Sequence, residues 1–132
     1  MDIFSQDPNE VRLRPEEVRL REVQVMPLLD GNRVKVFVEL TPFLKRPNLE
    51  ITITTASGKE VAHASILETM LRKVELIMHL REFEPGSEYT LESTVYYQSL
   101  PEPSDNPMDL TLPDPMIVDR QKVIFLLPHS ES

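Results

Sequence analysis

Apolar and polar residues alternate with a period of two along much of this chain. In 33–41 the apolar face carries three valines and a leucine, while the opposite face is mostly charged. A period of two puts successive side chains on opposite faces, which is typical of a half-buried β-strand. The same alternation occurs in 16–26, 48–55, 60–65 and 89–97, and 122–127 is an almost continuous apolar run. We therefore predict a series of short antiparallel strands.

Turn-forming dipeptides separate several of these segments. Asp30-Gly31, Ser57-Gly58 and Pro85-Gly86 each lie between apolar runs. Glycine tolerates positive φ, and proline presets the φ of a turn's second residue. In 16–26 the apolar residues change face near Glu22, which indicates a bulge or an edge strand. These signals predict hairpin-like connections.

One segment, 65–81, has two readings. Seven apolar residues form a stripe at helical spacing, and Ser65 followed by Glu68 resembles a capping box. Val74, Met78 and Leu80 instead fit an alternating strand. We predict a strand over 73–81 preceded by a loop or one helical turn. A helix here would make the fold α+β, with one helix covering a sheet.

The fold class that follows is all-β, a single antiparallel β-sandwich of about seven strands. We predict an N-terminal arm over 1–17, the sandwich domain over 18–127 and a tail over 128–132. A long loop, 98–119, precedes the last strand and contains Pro101, Pro103, Pro107, Pro113 and Pro115. Loops of that length are uncommon in compact domains unless they have a function.

The corner after 73–81 carries a recognisable motif: Leu80, Phe83, Pro85, Gly86, Tyr89, Leu91 and Val95. An apolar residue, Pro-Gly and a tyrosine entering a strand resemble the immunoglobulin-like sandwich, most closely a fibronectin type III module. Other immunoglobulin-like and macroglobulin-type domains share the motif. The resemblance implies that the Tyr89 hydroxyl bonds to nearby backbone and pins the corner. It also implies an interaction or spacer module, without naming a partner.

Composition narrows the function classes. The 132 residues suit one domain, and without cysteine there is no disulfide or thiol chemistry. The net charge of −8 disfavours binding to nucleic acid or to an anionic membrane. No apolar run approaches the roughly 18 residues of a membrane span, and the N-terminus lacks the features of a secretory signal. We expect a cytoplasmic protein with no nucleic-acid or membrane partner.

Catalytic and cofactor signals are weak. His63, His79 and His129 lie far apart in sequence, and the three glycines are isolated in turns. The chain has no Gly-x-Ser-x-Gly elbow and no glycine-rich phosphate loop. We therefore expect no enzyme activity, no catalytic residues and no cofactor. An alternative is a small-ligand or divalent-cation site formed by acidic loop residues, Asp105, Asp109 and Asp114.

The function that we expect is a non-catalytic protein-interaction or scaffolding module. Apolar residues in the proline-rich loop are the first candidates for contact with a partner: Leu100, Met108, Leu110, Leu112 and Met116. Phe37 and Tyr96 are further candidates, on an outer sheet face. The loop residues could instead fold back over the sandwich, and the two aromatic residues could pack against the arm. The partner is a protein, with self-association through a sheet edge or face as one possibility.

Overall fold

The computed structural model describes residues 12–28, 32–98 and 114–127. Within these ranges the chain forms seven strands and one 3-10 turn, Pro15–Glu17. The strands are β1 Leu20–Pro27, β2 Arg33–Leu40, β3 Asn48–Thr55, β4 Glu60–Ile66, β5 Lys73–His79, β6 Glu88–Tyr97 and β7 Met116–Leu126. The prediction of an all-β fold is confirmed, and the helical reading of 65–81 is wrong.

The strands form two antiparallel sheets that pack as a β-sandwich. One sheet has the order β1-β2-β5, and the other has the order β4-β3-β6-β7. The alternation in the sequence corresponds to burial in the structure. The apolar residues of β2 are all fully buried on its inner face: Val34, Val36, Val38 and Leu40. Each fully buried side chain of this kind stabilises the fold by about 1.5–3 kcal/mol.

The β5 segment shows why the helical stripe fails. Val74, Met78 and Leu80 are buried by alternation, and β5 pairs with β2 along its whole length. A helix would have placed Leu67 and Leu71 on the same buried face, but both are exposed. Pairing to the already buried strand β2 therefore decides the conformation of 73–79.

β1 changes face through a bulge, as its pattern predicts. Leu20 pairs with Leu40 and Glu22 pairs with Glu39, so Arg21 is the extra residue. Leu20 is buried before the bulge, and Val23 packs against the core after it. One extra residue moves the following side chains to the other face. β1 is also an edge strand.

The last strand corrects the predicted loop. β7 begins at Met116 and not near 122, so 116–119 belong to the strand and not to the loop 98–119. Asp119 and Gln121 face inward, where alternation would demand apolar residues. The Leu20 N–H donates to Asp119 Oδ2 (2.8 Å), and Gln121 Nε2 donates to the Leu20 carbonyl oxygen (2.9 Å). These bonds provide partners for the N–H and the carbonyl oxygen of Leu20 at the open edge of β1, and they link the two sheets.

Part of the predicted arm is attached to the sandwich. Leu13 forms a parallel bridge with Phe43. The Leu13 N–H donates to the Pro42 carbonyl, and the Leu44 N–H donates to the Leu13 carbonyl. Residues 1–11 and the tail 128–132 lie outside the described residues.

Candidate functional site

The two ends of the sandwich differ in character. At the loop end, defined here by the β2–β3 connection (41–47) and the β4–β5 loop (67–72), β3 and β7 begin while β4 and β6 finish. At the opposite, hairpin end lie the β3–β4 turn (56–59) and the β5–β6 corner (80–87). The loop end holds the strongest candidate for a functional surface.

The β4–β5 loop is held in place by hydrogen bonds from distant residues. The Glu68 N–H donates to Asn48 Oδ1 (2.7 Å), and the Thr69 N–H donates to the Pro47 carbonyl oxygen (2.9 Å). The Thr69 hydroxyl donates to the Leu71 carbonyl oxygen (3.0 Å) and lies 3.2 Å from the Leu71 nitrogen. Asn48 and Thr69 are both buried. The loop is therefore a defined structure whose backbone does not depend on its apolar side chains.

Glu68 adds a strained residue to this loop. Its φ is 47°, in the left-handed region, which costs a residue other than glycine about 1–2 kcal/mol. Such strain persists only where the surroundings hold the backbone, and it concentrates at functional sites. The bond to Asn48 provides that constraint here.

Large apolar side chains protrude from both loops. The exposed fractions are 69% for Leu67, 68% for Met70, 63% for Leu71 and 61% for Leu44. A single exposed leucine is ordinary, but apolar residues grouped on one surface mark interaction sites. We call these four residues the Leu71 surface.

Tyr97 fixes the β2–β3 connection. Its hydroxyl donates to the Lys45 carbonyl oxygen (2.8 Å), and Lys45 Nζ lies 5.8 Å from the centroid of its ring. Burial raises the pKa of Tyr97 to about 12, so the phenol stays protonated and remains a donor well above neutral pH. Leu44 is thus presented from a connection that is tied to the end of β6.

Positive charge borders the Leu71 surface. Lys45 and Arg46 follow Leu44 directly, and Lys73 follows the β4–β5 loop; all three are exposed. Among the residues that the structure describes, none of the three forms an ion pair with a carboxylate. Glu68 is the acid within this loop.

The predicted interaction residues do not form one surface. Met116 pairs with Tyr97, which places it at the loop end, and it is exposed. Tyr96 is partly buried on the outer face of the four-stranded sheet, opposite Ile117. Phe37 lies on the outer face of the other sheet, so the expectation of a shared outer face is wrong. The remaining candidates lie outside the described residues: Leu100, Met108, Leu110 and Leu112.

Two depressions lie away from the Leu71 surface. A groove of about 520 Å³ beside Phe37 includes Val23, Val25 and Met26 of β1 and Val123 of β7. A cleft of about 530 Å³ at the hairpin end lies between the β3–β4 turn and the β5–β6 corner, with Phe83 in its lining. The lining of this cleft also contains polar residues: Ser57, Lys59, Glu82, Glu84, Ser87 and Glu88.

The β5–β6 corner has the geometry of a type II turn. The Ser87 N–H donates to the Glu84 carbonyl oxygen (3.0 Å), Pro85 takes the second position and Gly86 the third, with a φ of 83°. The Glu84 N–H donates to the Tyr89 hydroxyl (2.8 Å). The Tyr89 ring stacks on Phe125 with centroids 5.8 Å apart.

The described residues form neither a group of metal ligands nor a membrane-spanning helix. Within 12–28, 32–98 and 114–127, no three histidine, cysteine or acidic side chains are grouped so that they could hold a metal ion. Asp114 is exposed, and Asp105 and Asp109 lie outside these ranges. In the described part of the chain, no helix has the length and apolar character needed to cross a bilayer.

Sequence reasoning did not identify the Leu71 surface. A signal was nevertheless present, because Leu67, Met70 and Leu71 belong to the helical stripe but have no place on either strand. Once 73–79 forms a strand, these three side chains are left in a short connection without a face to bury them.

Comparison with known proteins yields similarity to solved structures alone. No protein-family model and no curated protein matches the sequence. A β-glucuronidase from Lactobacillus rhamnosus has a TM-score of 0.49 and 14% identity, over 84% of this chain and 16% of that chain. A glycosyl hydrolase family 2 member from Bacteroides cellulosilyticus DSM 14838 has a TM-score of 0.48 and 12% identity, over 83% and 15%. A β-glucuronidase from Ruminococcus gnavus has a TM-score of 0.44 and 13% identity, over 84% and 16%. The chain therefore spans less than a fifth of each of these proteins, and similarity at this level supports no statement about function.

Proposed function

We propose that this protein is a non-catalytic interaction module that binds a partner protein through the Leu71 surface. The supporting observation is the exposure of Leu44, Leu67, Met70 and Leu71 on two connections that hydrogen bonds hold in place. A rigid surface loses little conformational freedom on binding, which favours affinity.

Burial of the four apolar side chains would offset part of the free-energy cost of association. Burying each of these side chains against a partner is worth about 1.5–3 kcal/mol. The loss of translational and rotational freedom costs about 4–15 kcal/mol. Four apolar contacts therefore offset much of this cost and act as the centre of an interface, with polar contacts around them supplying the rest.

The finer fold assignment, to a fibronectin type III-like module, belongs to the same proposal. β4 pairs with β3, in the sheet of β6 and β7. Immunoglobulin constant-type domains instead place the fourth strand with the first, second and fifth. The bond from the Glu84 N–H to the Tyr89 hydroxyl supports this assignment as well.

The test is selection from a random-peptide display library. The protein is held through a biotin at its C-terminus, because Leu127 bonds to Ser87 at the hairpin end and the loop end then faces the solution. The variant L67S/M70S/L71S removes the loop's apolar side chains. A matched control, I77T/I124T/L126T, removes three exposed apolar side chains from strands β5 and β7. Circular dichroism and urea unfolding establish first that both are folded.

We expect the wild-type protein and the control variant to enrich the same peptides, and the loop variant to lose them. The proposal is contradicted if no peptide is enriched on the wild-type protein. It is also contradicted if the loop variant binds the enriched peptides as tightly as the wild type does.

A further inference from the structure

We infer that the segment bound by the Leu71 surface is acidic as well as apolar; this inference rests on the proposed function. The chain's net charge of −8 would by itself favour a basic partner. The distribution of ion pairs instead indicates an acidic partner for this surface.

Cations elsewhere in the structure already have partners. Seven of them lie within 4 Å of a carboxylate: Arg14, Arg21, Lys35, Lys59, Arg81, Arg120 and Lys122. The Arg19 guanidinium donates to the carbonyl oxygens of Glu16 and Val18. The seven cations paired with a carboxylate therefore offer less to an incoming acidic group, and Arg19 has donors already engaged by backbone carbonyls.

Lys45, Arg46 and Lys73 differ from that set. Among the described residues they have no carboxylate partner, and all three border the Leu71 surface. Lys45 is held in position, because its carbonyl accepts the Tyr97 bond and its ammonium lies near the Tyr97 ring. Glu68 lies in the same loop, and Glu39 lies opposite Lys73 on β2, where it is already paired with Arg21. The three cations therefore remain available to an acidic group of a partner.

Charge complementarity at the rim of an interface selects partners more than it adds affinity. At physiological salt the screening length is about 8 Å, so acids at the hairpin end have little effect on a segment bound at the loop end. Carboxylates placed beside Lys45, Arg46 and Lys73 would meet unpaired cations, whereas lysine or arginine there would be repelled. The structure therefore assigns this surface to a partner segment that combines Asp or Glu with Leu, Ile or Phe.

A protein segment fits these features better than an anionic membrane. Surfaces that recognise anionic lipids generally carry about 4–8 basic residues. The Leu71 surface is bordered by three cations that have no carboxylate partner among the described residues, on a chain of net charge −8. The net charge would oppose binding to a lipid surface, which is extended, more than binding to a short segment.

The experiment repeats the peptide selection with charge variants. K45E/R46E/K73E reverses the rim, and K35E/K59E/K122E reverses the same number of cations elsewhere, each of which is paired with a carboxylate. Circular dichroism and urea unfolding establish first that both variants are folded. We expect peptides enriched on the wild-type protein to contain more Asp and Glu than Lys and Arg. The affinity for the most enriched peptide should fall at least about tenfold in the rim variant, about 1.4 kcal/mol, and stay near wild type in the control variant.

Other outcomes separate the two proposals. Enriched peptides that depend on Leu67, Met70 and Leu71 but carry no excess of acid would overturn this inference and leave the proposed function standing. Absence of any enriched peptide would contradict the proposed function itself. Co-sedimentation with vesicles of phosphatidylcholine and phosphatidylserine, lost in the rim variant, would overturn the inference in favour of a lipid surface.

Discussion

The Tyr97 hydroxyl donates a hydrogen bond to the carbonyl oxygen of Lys45, 2.8 Å away and 52 residues earlier in the chain. Tyr97 is the last residue of β6 and is 5% exposed, whereas Lys45 lies in the β2–β3 connection. The bond ties a buried strand end to the connection that presents Leu44. This hydrogen bond therefore contributes both to the stability of the fold and to the shape of the proposed binding surface.

Substituting Tyr97 by Phe should lower the free energy of unfolding by about 1 kcal/mol, because the partly buried Lys45 carbonyl loses its donor. Urea unfolding measures the change. Tyr96→Phe is the matched control, since its partly buried phenol lies on the outer face of the same strand. An equal loss in both variants would show that the Tyr97 hydrogen bond contributes nothing specific to the free energy of unfolding.

Alkaline pH should weaken the fold through the same residue. Burial raises the pKa of Tyr97 from its ordinary value of 10.0 to about 12. Between those values the folded protein keeps the phenolic proton while the unfolded chain loses it. The stabilisation is complete below about pH 10 and is lost progressively as pH rises towards about 12.

Urea unfolding at pH 9 and pH 11.5 measures this loss for the wild type and for Tyr97→Phe. The wild type should lose more stability than the variant, by about 1–3 kcal/mol. Absorbance at 295 nm should show a late-titrating phenol in the wild type that Tyr97→Phe lacks. Parallel losses in the two proteins would contradict the assignment.

Tyr89→Phe should destabilise the corner by about 1–2 kcal/mol, because the Glu84 N–H loses its acceptor. The ring that stacks on Phe125 is retained, so the loss reports on the hydroxyl alone. Urea unfolding and hydrogen exchange at the Glu84 amide check it. Unchanged exchange at that amide would mean that the hydroxyl does not hold the corner.

Ser93→Ala should raise stability by about 1 kcal/mol, in contrast to most core substitutions. Ser93 is fully buried on β6, and within the described residues its hydroxyl has no hydrogen-bond partner. A buried hydroxyl without a partner costs about 1–3 kcal/mol, and alanine removes it with little change in volume. Thermal unfolding is the measurement, with the exposed Ser65→Ala as control. A lower midpoint for Ser93→Ala than for the control would show that the hydroxyl does have a partner.

Local sequence pattern was enough to predict most of the strands. Alternation works for β2 because its inner residues are uniformly apolar and its outer residues are not. The face change in β1 was also predicted from the sequence, since the bulge at Arg21 shifts the apolar residues from one alternating position to the other. Each of these features depends on neighbours within a few residues along the chain.

The alternation of apolar and polar residues did not predict where β7 begins. Asp119 and Gln121 interrupt the alternation, and their partner, Leu20, lies about a hundred residues away in the chain. A polar residue on the inner face is acceptable only when a specific partner satisfies it. The start of β7 is therefore decided by contact with β1, which sequence spacing does not contain.

The chain by itself determined most of the strands, the turns at Gly58 and Gly86 and the all-β class, because these follow from side-chain alternation and the φ preferences of proline and glycine; the predicted turn at Asp30-Gly31 lies outside the described residues. Tertiary structure alone decided that Leu67, Met70 and Leu71 face solvent. Asn48 and Pro47, about twenty residues away, hold the backbone of their loop. That arrangement requires β3 and the end of β4 to lie side by side, and only the folded sheet brings them together.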